Sequence, residues 1–230
     1  FQKLVIMGSK YQDLIVEKPW GFEYLAYENE DVALWALHIT YENETSLHCH
    51  PNKDTGLIVL DGSVNVSFLN DIYRLTPGRK IMIRKGLFHS TKAISQKGAM
   101  IFEIETPVNK HDIVRLEDKY GRAAKPYEGS SFEKPKPKDC VWFEEPDLGK
   151  KIEYEYANSK IIIEHIANYK GLINKEDHEN IIFLKGGLMC DANKVASPGD
   201  VVASHIIKRL VNTFKEVHKD TLIMTIHPLI

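Results

Sequence analysis

The 230-residue sequence contains no apolar run long enough to cross a bilayer as a helix, which needs about 20 such residues, so no membrane partner is expected. Cysteine is scarce. Cys49, Cys140 and Cys190 stand far apart, are odd in number and form no CxxC pair, which excludes a disulfide framework and a cysteine-based zinc cluster. Net charge is almost absent as well. Thirty basic against thirty-two acidic side chains leave −2, so the chain presents no cationic footprint for a nucleic-acid backbone. Phe1-Gln2-Lys3 include no Met, and the charged, apolar and small-residue order of a secretory signal is missing; the expectation is a cytoplasmic protein with a trimmed start. Long helical patterns between strands are missing too, which removes a Rossmann-type reading.

What is present is a series of short strands. A hydrophobic fraction of 43% with 27% charged residues is that of an ordinary globular chain, long enough for one large or two modest cores. From Asp31 to Glu105, runs rich in Val, Ile, Leu and aromatics are broken by turn formers at Glu42-Asn43-Glu44, Asp61-Gly62, Asn70-Asp71 and Pro77-Gly78. Alternation supports strands: Leu34, Ala36 and His38 oppose Trp35, Leu37 and Ile39, and Val64, Val66 and Phe68 oppose Ser63, Asn65 and Ser67. Many short strands at regular spacing favour a sandwich or barrel. Between Asp112 and Lys119 the character changes, with Ile113, Leu116 and Tyr120 at helical spacing, and a short helix is expected there. Four prolines with Gly129, Ser130 and Ser131 follow, read as a linker within 123–149. The strand pattern returns in Lys160 to Ile166, Asn180 to Leu184, Asp200 to Ile207 and Thr221 to His227, so a second β-unit is expected over 150–230 after a first over 1–122.

The chemistry-bearing stretch is His48-Cys49-His50, followed by Thr55 and Gly62. Alternate residues of a strand face one side, so both imidazoles point into one lumen, a metal-ligand spacing. A second stretch, Gly78, Arg84, Gly86 and His89, adds a third histidine after a tight glycine turn. These two stretches resemble the paired motifs of the cupin superfamily, G(X)5HXH(X)3,4E(X)6G and G(X)5PXG(X)2H(X)3N. His48, His50, Gly62, Gly78, Gly86 and His89 match. Glu42 stands where the first glycine belongs, Thr55 or Asp54 where the glutamate belongs, Arg84 for the proline and Ala93 for the asparagine. The resemblance implies an all-β protein built of cupin barrels, with a metal in the first.

Residues 17 to 122 further resemble the type II phosphomannose isomerase domain, through Lys18-Pro19-Trp20-Gly21, Thr45-Ser46-Leu47 and the tail from Asp112 to Arg122, DIVRLEDKYGR. That resemblance implies His50 and His89 as metal ligands, His48 in the place of a glutamine ligand, Lys53 in that of an arginine, and Arg122 as the arginine that handles a sugar phosphate. It also implies a sugar or sugar-phosphate isomerase or epimerase serving surface polysaccharide synthesis. A non-catalytic sugar-binding cupin and an iron-dependent oxygenase are the alternatives, since fold alone does not choose among them.

An aldose–ketose isomerase needs a base beside the sugar and an electrophile that stabilises the enediolate. Asp54, Lys53, Glu103, Glu105 and His111 are candidate bases. Glu105 is favoured because it shares a strand face with Glu103, opposite Phe102 and Ile104. The expected cofactor is a divalent ion, Zn, Ni, Fe or Mn, on His48, His50 and His89. In the second unit the histidine positions fall on Leu172, Asn174 and Leu210, which marks a degenerate cupin that packs rather than catalyses. His111, His178, His205, His218 and His227 read as scattered structural or solvent-facing residues, and exposed barrel edges point to a homodimer.

Overall fold

The structure, a computed structural model, describes residues 11–123, 132–133 and 140–229. Most of the linker segment expected over 123–149 lies outside the described residues. The first half carries β1 (Ile15–Lys18), β2 (Gly21–Glu28), β3 (Ala33–Ile39), β4 (Leu47–Cys49), β5 (Asp54–Asp61) and β6 (Val64–Phe68). It continues with β7 (Ile72–Leu75), β8 (Lys80–Ile83), β9 (His89–Ala93), β10 (Ala99–Thr106) and β11 (Val114–Glu117). After β12 (Phe132–Glu133) come β13 (Lys151–Tyr156), β14 (Ser159–Ile166), α1 (Lys170–Ile173), β15 (Asn180–Lys185), β16 (Leu188–Cys190) and β17 (Asn193–Ala196). The chain ends with β18 (Val201–Ala203), α2 (Ser204–Val211), β19 (Glu216–Val217) and β20 (Thr221–Pro228). Among the described residues, no helix is long and apolar enough to cross a membrane.

The architecture is all-β. In the first half a seven-stranded sheet, β12-β1-β2-β3-β10-β5-β8, faces a five-stranded one, β11-β4-β9-β6-β7, as a two-sheet barrel. In the second half a five-stranded sheet, β13-β14-β20-β15-β18, faces the three-stranded β17-β16-β19. The period-two pattern explains the stacking. Trp35, Leu37, Leu57, Val59 and Ile101 turn into the first lumen, while their neighbours Leu34, Ala36, Ile58 and Phe102 turn to the other side of the same sheet. There they pack against Ile161, Ile163, Ile182, Met224 and Ile226 of the second half. The opposite face of that second sheet, through Ile181, Phe183 and Ile223, closes on Leu188, Leu172 of α1 and Ile207 and Val211 of α2. Leu172, one of the positions where a second histidine set would stand, is thus fully buried in an apolar interior.

Two expected elements differ. The segment from Asp112 to Lys119 is not a helix: β11 pairs with β4 and places Arg115 opposite His48. Period two governs it, with Arg115 buried between exposed Val114 and Leu116, and the open edge of β4 supplies the hydrogen bonds a helix would have made internally. The run from Asp200 to Ile207 is strand only to Ala203, after which Ile207 and Val211 fall on one helical face and bury against the second sheet. Lys208 and Arg209 in the last turn complement the helix dipole.

The turns recognised by spacing are built as expected: Gly62, Gly78 and Gly86 all hold positive φ, 76°, 77° and 79°. Glu42, in the place of the first motif glycine, keeps a left-handed φ of 62°. Its amide donates to the Ala93 carbonyl at 3.0 Å and its carboxylate pairs with Lys92, contacts that offset a strain of about 1 kcal/mol for a side chain in that region. At Gly62 no such accommodation is available, because a Cβ would lie 2.3 Å from the Gly98 carbonyl oxygen. Gly62→Ala is therefore expected to destabilise the protein by about 2 kcal/mol or more, read as a lowered urea midpoint.

Candidate metal centre

β4 and β9 run side by side with His48 directly opposite His89. His50 follows one residue after β4 on the same face. All three are buried, and one ring nitrogen from each lies within 4.8 Å of the other two. The backbone fixes which nitrogen that is. His48 Nδ1 lies 2.7 Å from the Ser46 carbonyl, His50 Nδ1 2.6 Å from the Asp112 carbonyl and His89 Nδ1 3.0 Å from the Leu87 carbonyl. A carbonyl only accepts, so each Nδ1 carries the proton and each Nε2 is left with its lone pair. His50 Nε2 and His89 Nε2 are buried with no hydrogen-bond partner.

Burial also keeps the rings neutral. Desolvation, reinforced by the neighbouring imidazoles, holds His48 well below its ordinary range. Desolvation and the Lys53 charge push His50 down to about 3, and desolvation is the main cause that brings His89 to about 4. Three neutral imidazoles, oriented from behind by carbonyls and with ring nitrogens converging on a common point, fit a divalent ion of the zinc, nickel or iron kind. Asp112 holds this arrangement twice over. Its carbonyl orients His50, and its carboxylate accepts from Asn52 N, Asn52 Nδ2 and Lys53 N at 2.8, 2.8 and 3.1 Å.

Beside the histidines, Lys53 and Glu105 form an ion pair of 2.8 Å with both side chains 1% exposed. Lys110 approaches the same Glu105 oxygen at 3.4 Å and Glu23 at 3.3 Å, with its ammonium 3.7 Å over the Trp35 ring. Burial alone would lower the Lys110 ammonium, but Glu105 and Glu23 outweigh it and hold the group above its ordinary range. The two lysines thus share Oε1 of Glu105, whereas Oε2 is buried and unpartnered. A cavity of about 50 Å³ adjoins these groups. Lys18, Lys53, Lys110, Arg115 and Arg122 line it on the basic side. Glu23, Glu103 and Glu105 are its acidic residues, and with Arg122 neutralised by Asp118 the walls carry a positive excess of one.

The candidate bases separate cleanly. Glu103 and Glu105 reach the cavity, and Lys53 joins them. Asp54 turns to the surface, where Arg84 and the Lys85 amide hold it at 2.9 and 2.8 Å, and His111 is exposed. Arg122 lines the cavity but is already held by Asp118 at 2.6 Å. Thr55 is fully buried, opposite Glu105 in the β5–β10 register, with an unpartnered hydroxyl. Lys110, Glu23, Arg115 and the clamp of Asp112 were not singled out from the sequence as site residues. Charges at alternate positions of β11, Arg115 and Glu117, were the signal that could have found Arg115, whereas Glu23 is an isolated charge within a largely apolar β2 and Lys110 sits in a loop with no period to read.

Because Thr55 faces the lumen and Asp54 faces solvent, a carboxylate introduced at 55 would add a ligand and one at 54 is irrelevant. Thr55→Glu is expected to tighten metal binding by on the order of ten- to a hundredfold, the range in which groups around a metal tune its affinity. Asp54→Asn should leave it within a factor of about two. Competition with a chromophoric chelator measures both, and the reverse ranking would place the fourth position on Asp54.

No protein-family model and no curated protein sequence matches the chain. Among solved structures it is similar to KdgF from Halomonas sp., with 16% identity, a TM-score of 0.38 and coverage of 40% of this chain and 84% of that one. It is also similar to a cupin-2 domain protein from Shewanella frigidimarina, at 23% identity and TM-score 0.35 over 39% of this chain and 83% of that one. A third likeness is to the capsular polysaccharide assembling protein CapF from Staphylococcus aureus, at 15% identity and TM-score 0.40, spanning 45% of this chain and 34% of CapF.

Proposed function

We propose that the first barrel is the active site of a metal-dependent cupin enzyme that isomerises or epimerises an anionic sugar, a sugar phosphate of the kind consumed in surface polysaccharide synthesis. The observation that carries this reading is a buried triangle of three imidazoles, two of which, His48 and His50, line the same cavity as Glu105, a carboxylate whose second oxygen is unpartnered. When bound, a divalent ion at the three Nε2 atoms supplies a Lewis acid for the sugar carbonyl. The chain's own residues do the rest. The positive excess on the walls favours a substrate that brings negative charge. Lys53 and Lys110 grip Glu105 through Oε1 and so aim Oε2. Oε2 takes the proton from the hydroxyl-bearing carbon next to the carbonyl. Return of that proton to the neighbouring carbon, with the hydroxyl proton passing to the former carbonyl oxygen, gives isomerisation; epimerisation needs a second acid on the opposite face of the enediolate.

Metal content of protein purified without added metal, followed by incubation with aldose and ketose phosphates in D2O, tests this. One equivalent of metal in the first barrel and deuterium incorporated beside the carbonyl are expected. Bound metal without exchange on any such sugar would reject the isomerase reading in favour of a binding protein, and oxygen consumption would redirect it to an oxygenase.

A further inference from the structure

Two histidines separated by 49 positions in the sequence meet in the second half. His178 lies in the turn before β15 and His227 in β20, with their Nε2 atoms 3.4 Å apart and the rings crossing at 70°. That separation is long for a hydrogen bond between nitrogens, whose heavy atoms usually sit at roughly 3 Å. It equals the edge of a tetrahedron whose metal–nitrogen bonds are about 2.0–2.1 Å long, an edge of roughly 3.3–3.4 Å.

The tautomer is arranged for the same purpose. His227 Nδ1 is 3.3 Å from Glu179 Oε1, and the other Glu179 oxygen accepts from the Glu176 amide at 2.8 Å. A carboxylate behind Nδ1 leaves Nε2 with its lone pair, the relation found behind metal-bound histidines. His178 is exposed, so an ion has a path from solvent. The cations on the neighbouring elements are committed elsewhere: Lys208 to Asp177 at 2.7 Å, and Lys160, the register partner of His227, to Glu153 at 2.7 Å.

We propose that His178 and His227 form a second metal site, distinct from the histidine triangle, that takes zinc, nickel or copper(II) with water completing the coordination. Its place in the fold gives it a structural role. Asn180, at the start of β15, donates to the Gly78 carbonyl of the first half at 2.9 Å. Pro228, at the end of β20, closes so tightly on Gly78 that a Cβ there would come within 2.7 Å. An ion on His178 and His227 ties these two strand ends together beside that junction.

Calorimetric titration of the chelator-treated full chain with zinc chloride tests the assignment. His48→Gln/His89→Gln, which dismantles the triangle, is expected to retain one zinc equivalent and to gain thermal stability from it. Glu179→Gln in that background should weaken it by about ten- to a hundredfold, and His178→Asn/His227→Asn should abolish it. Loss of all zinc binding in His48→Gln/His89→Gln, or its persistence after His178→Asn/His227→Asn, overturns the proposal. A wild-type chain that binds zinc only through His178 and His227 would instead reject the metal centre of the first barrel and leave this site standing.

Discussion

Replacing His50 with alanine is expected to reduce metal affinity in the first barrel by roughly a hundred- to a thousandfold. Structural zinc sites with four ligands bind with about 10–16 kcal/mol, so one ligand corresponds to approximately 3–4 kcal/mol. The effect should be larger for His50 than for a solvent-facing ligand, because the alanine also abandons the Asp112 carbonyl that its Nδ1 satisfies at 2.6 Å. In the metal-free protein the same change has a different sign of interest. It removes an imidazole that folding must keep neutral and dry, so the variant should still fold. Chelator competition reads the affinity and circular dichroism reads the fold. A variant that folds and binds metal as the parent does would remove His50 from the centre.

The second large effect concerns the buried pair. Glu105→Leu leaves the Lys53 ammonium 1% exposed, with the Asn109 carbonyl at 3.3 Å as a remaining partner. Stripping one partner from a buried pair typically destabilises by about 3–5 kcal/mol, whereas replacing both by apolar groups of similar volume is close to neutral. Lys53→Met/Glu105→Leu is therefore expected to recover most of the stability lost in Glu105→Leu, since Lys110 keeps Glu23 at 3.3 Å. Catalysis should not recover. The conservative Glu105→Gln keeps an oxygen for Lys53 but loses the base, and proton exchange should fall by about 10²–10⁴-fold. Urea unfolding of the parent, Glu105→Leu, Lys53→Met and the double variant closes the cycle. If Glu105→Gln exchanges substrate protons at the parental rate, the base lies elsewhere, and Glu103 is the next carboxylate in the cavity.

The histidine triangle was legible because it obeys local rules. HxH on a strand puts two rings on one face, and turn glycines at 62, 78 and 86 set the strands that bring His89 opposite His48. The same period-two rule told Glu103 and Glu105 from Phe102 and Ile104, and Thr55 from Asp54. It failed where charge sat in the interior. Arg115 between Val114 and Leu116 inverts the usual order of apolar inside and polar outside, so the segment mimics an amphipathic helix. The helix of 204–211 was hidden for the opposite reason, since Val201, Val202 and Ile206 continue an apolar run that a strand would share. His178 and His227 could not be paired from sequence at all, because their meeting depends on β15 and β20 lying side by side.

The seven-stranded sheet has apolar residues on both faces, and its outer face meets the second half through one continuous core. This geometry governs how the molecule comes apart. Neither half can unfold without exposing the partner's sheet to water, so the free energies of the two are not separable quantities. Heating should give a single calorimetric transition whose enthalpy matches its van't Hoff value, and denaturant should report one steep slope in place of two shallow ones. Hydrogen exchange at Ile58 and Phe102 should slow to the rate of global opening, in step with Ile163 and Met224 across the shared layer.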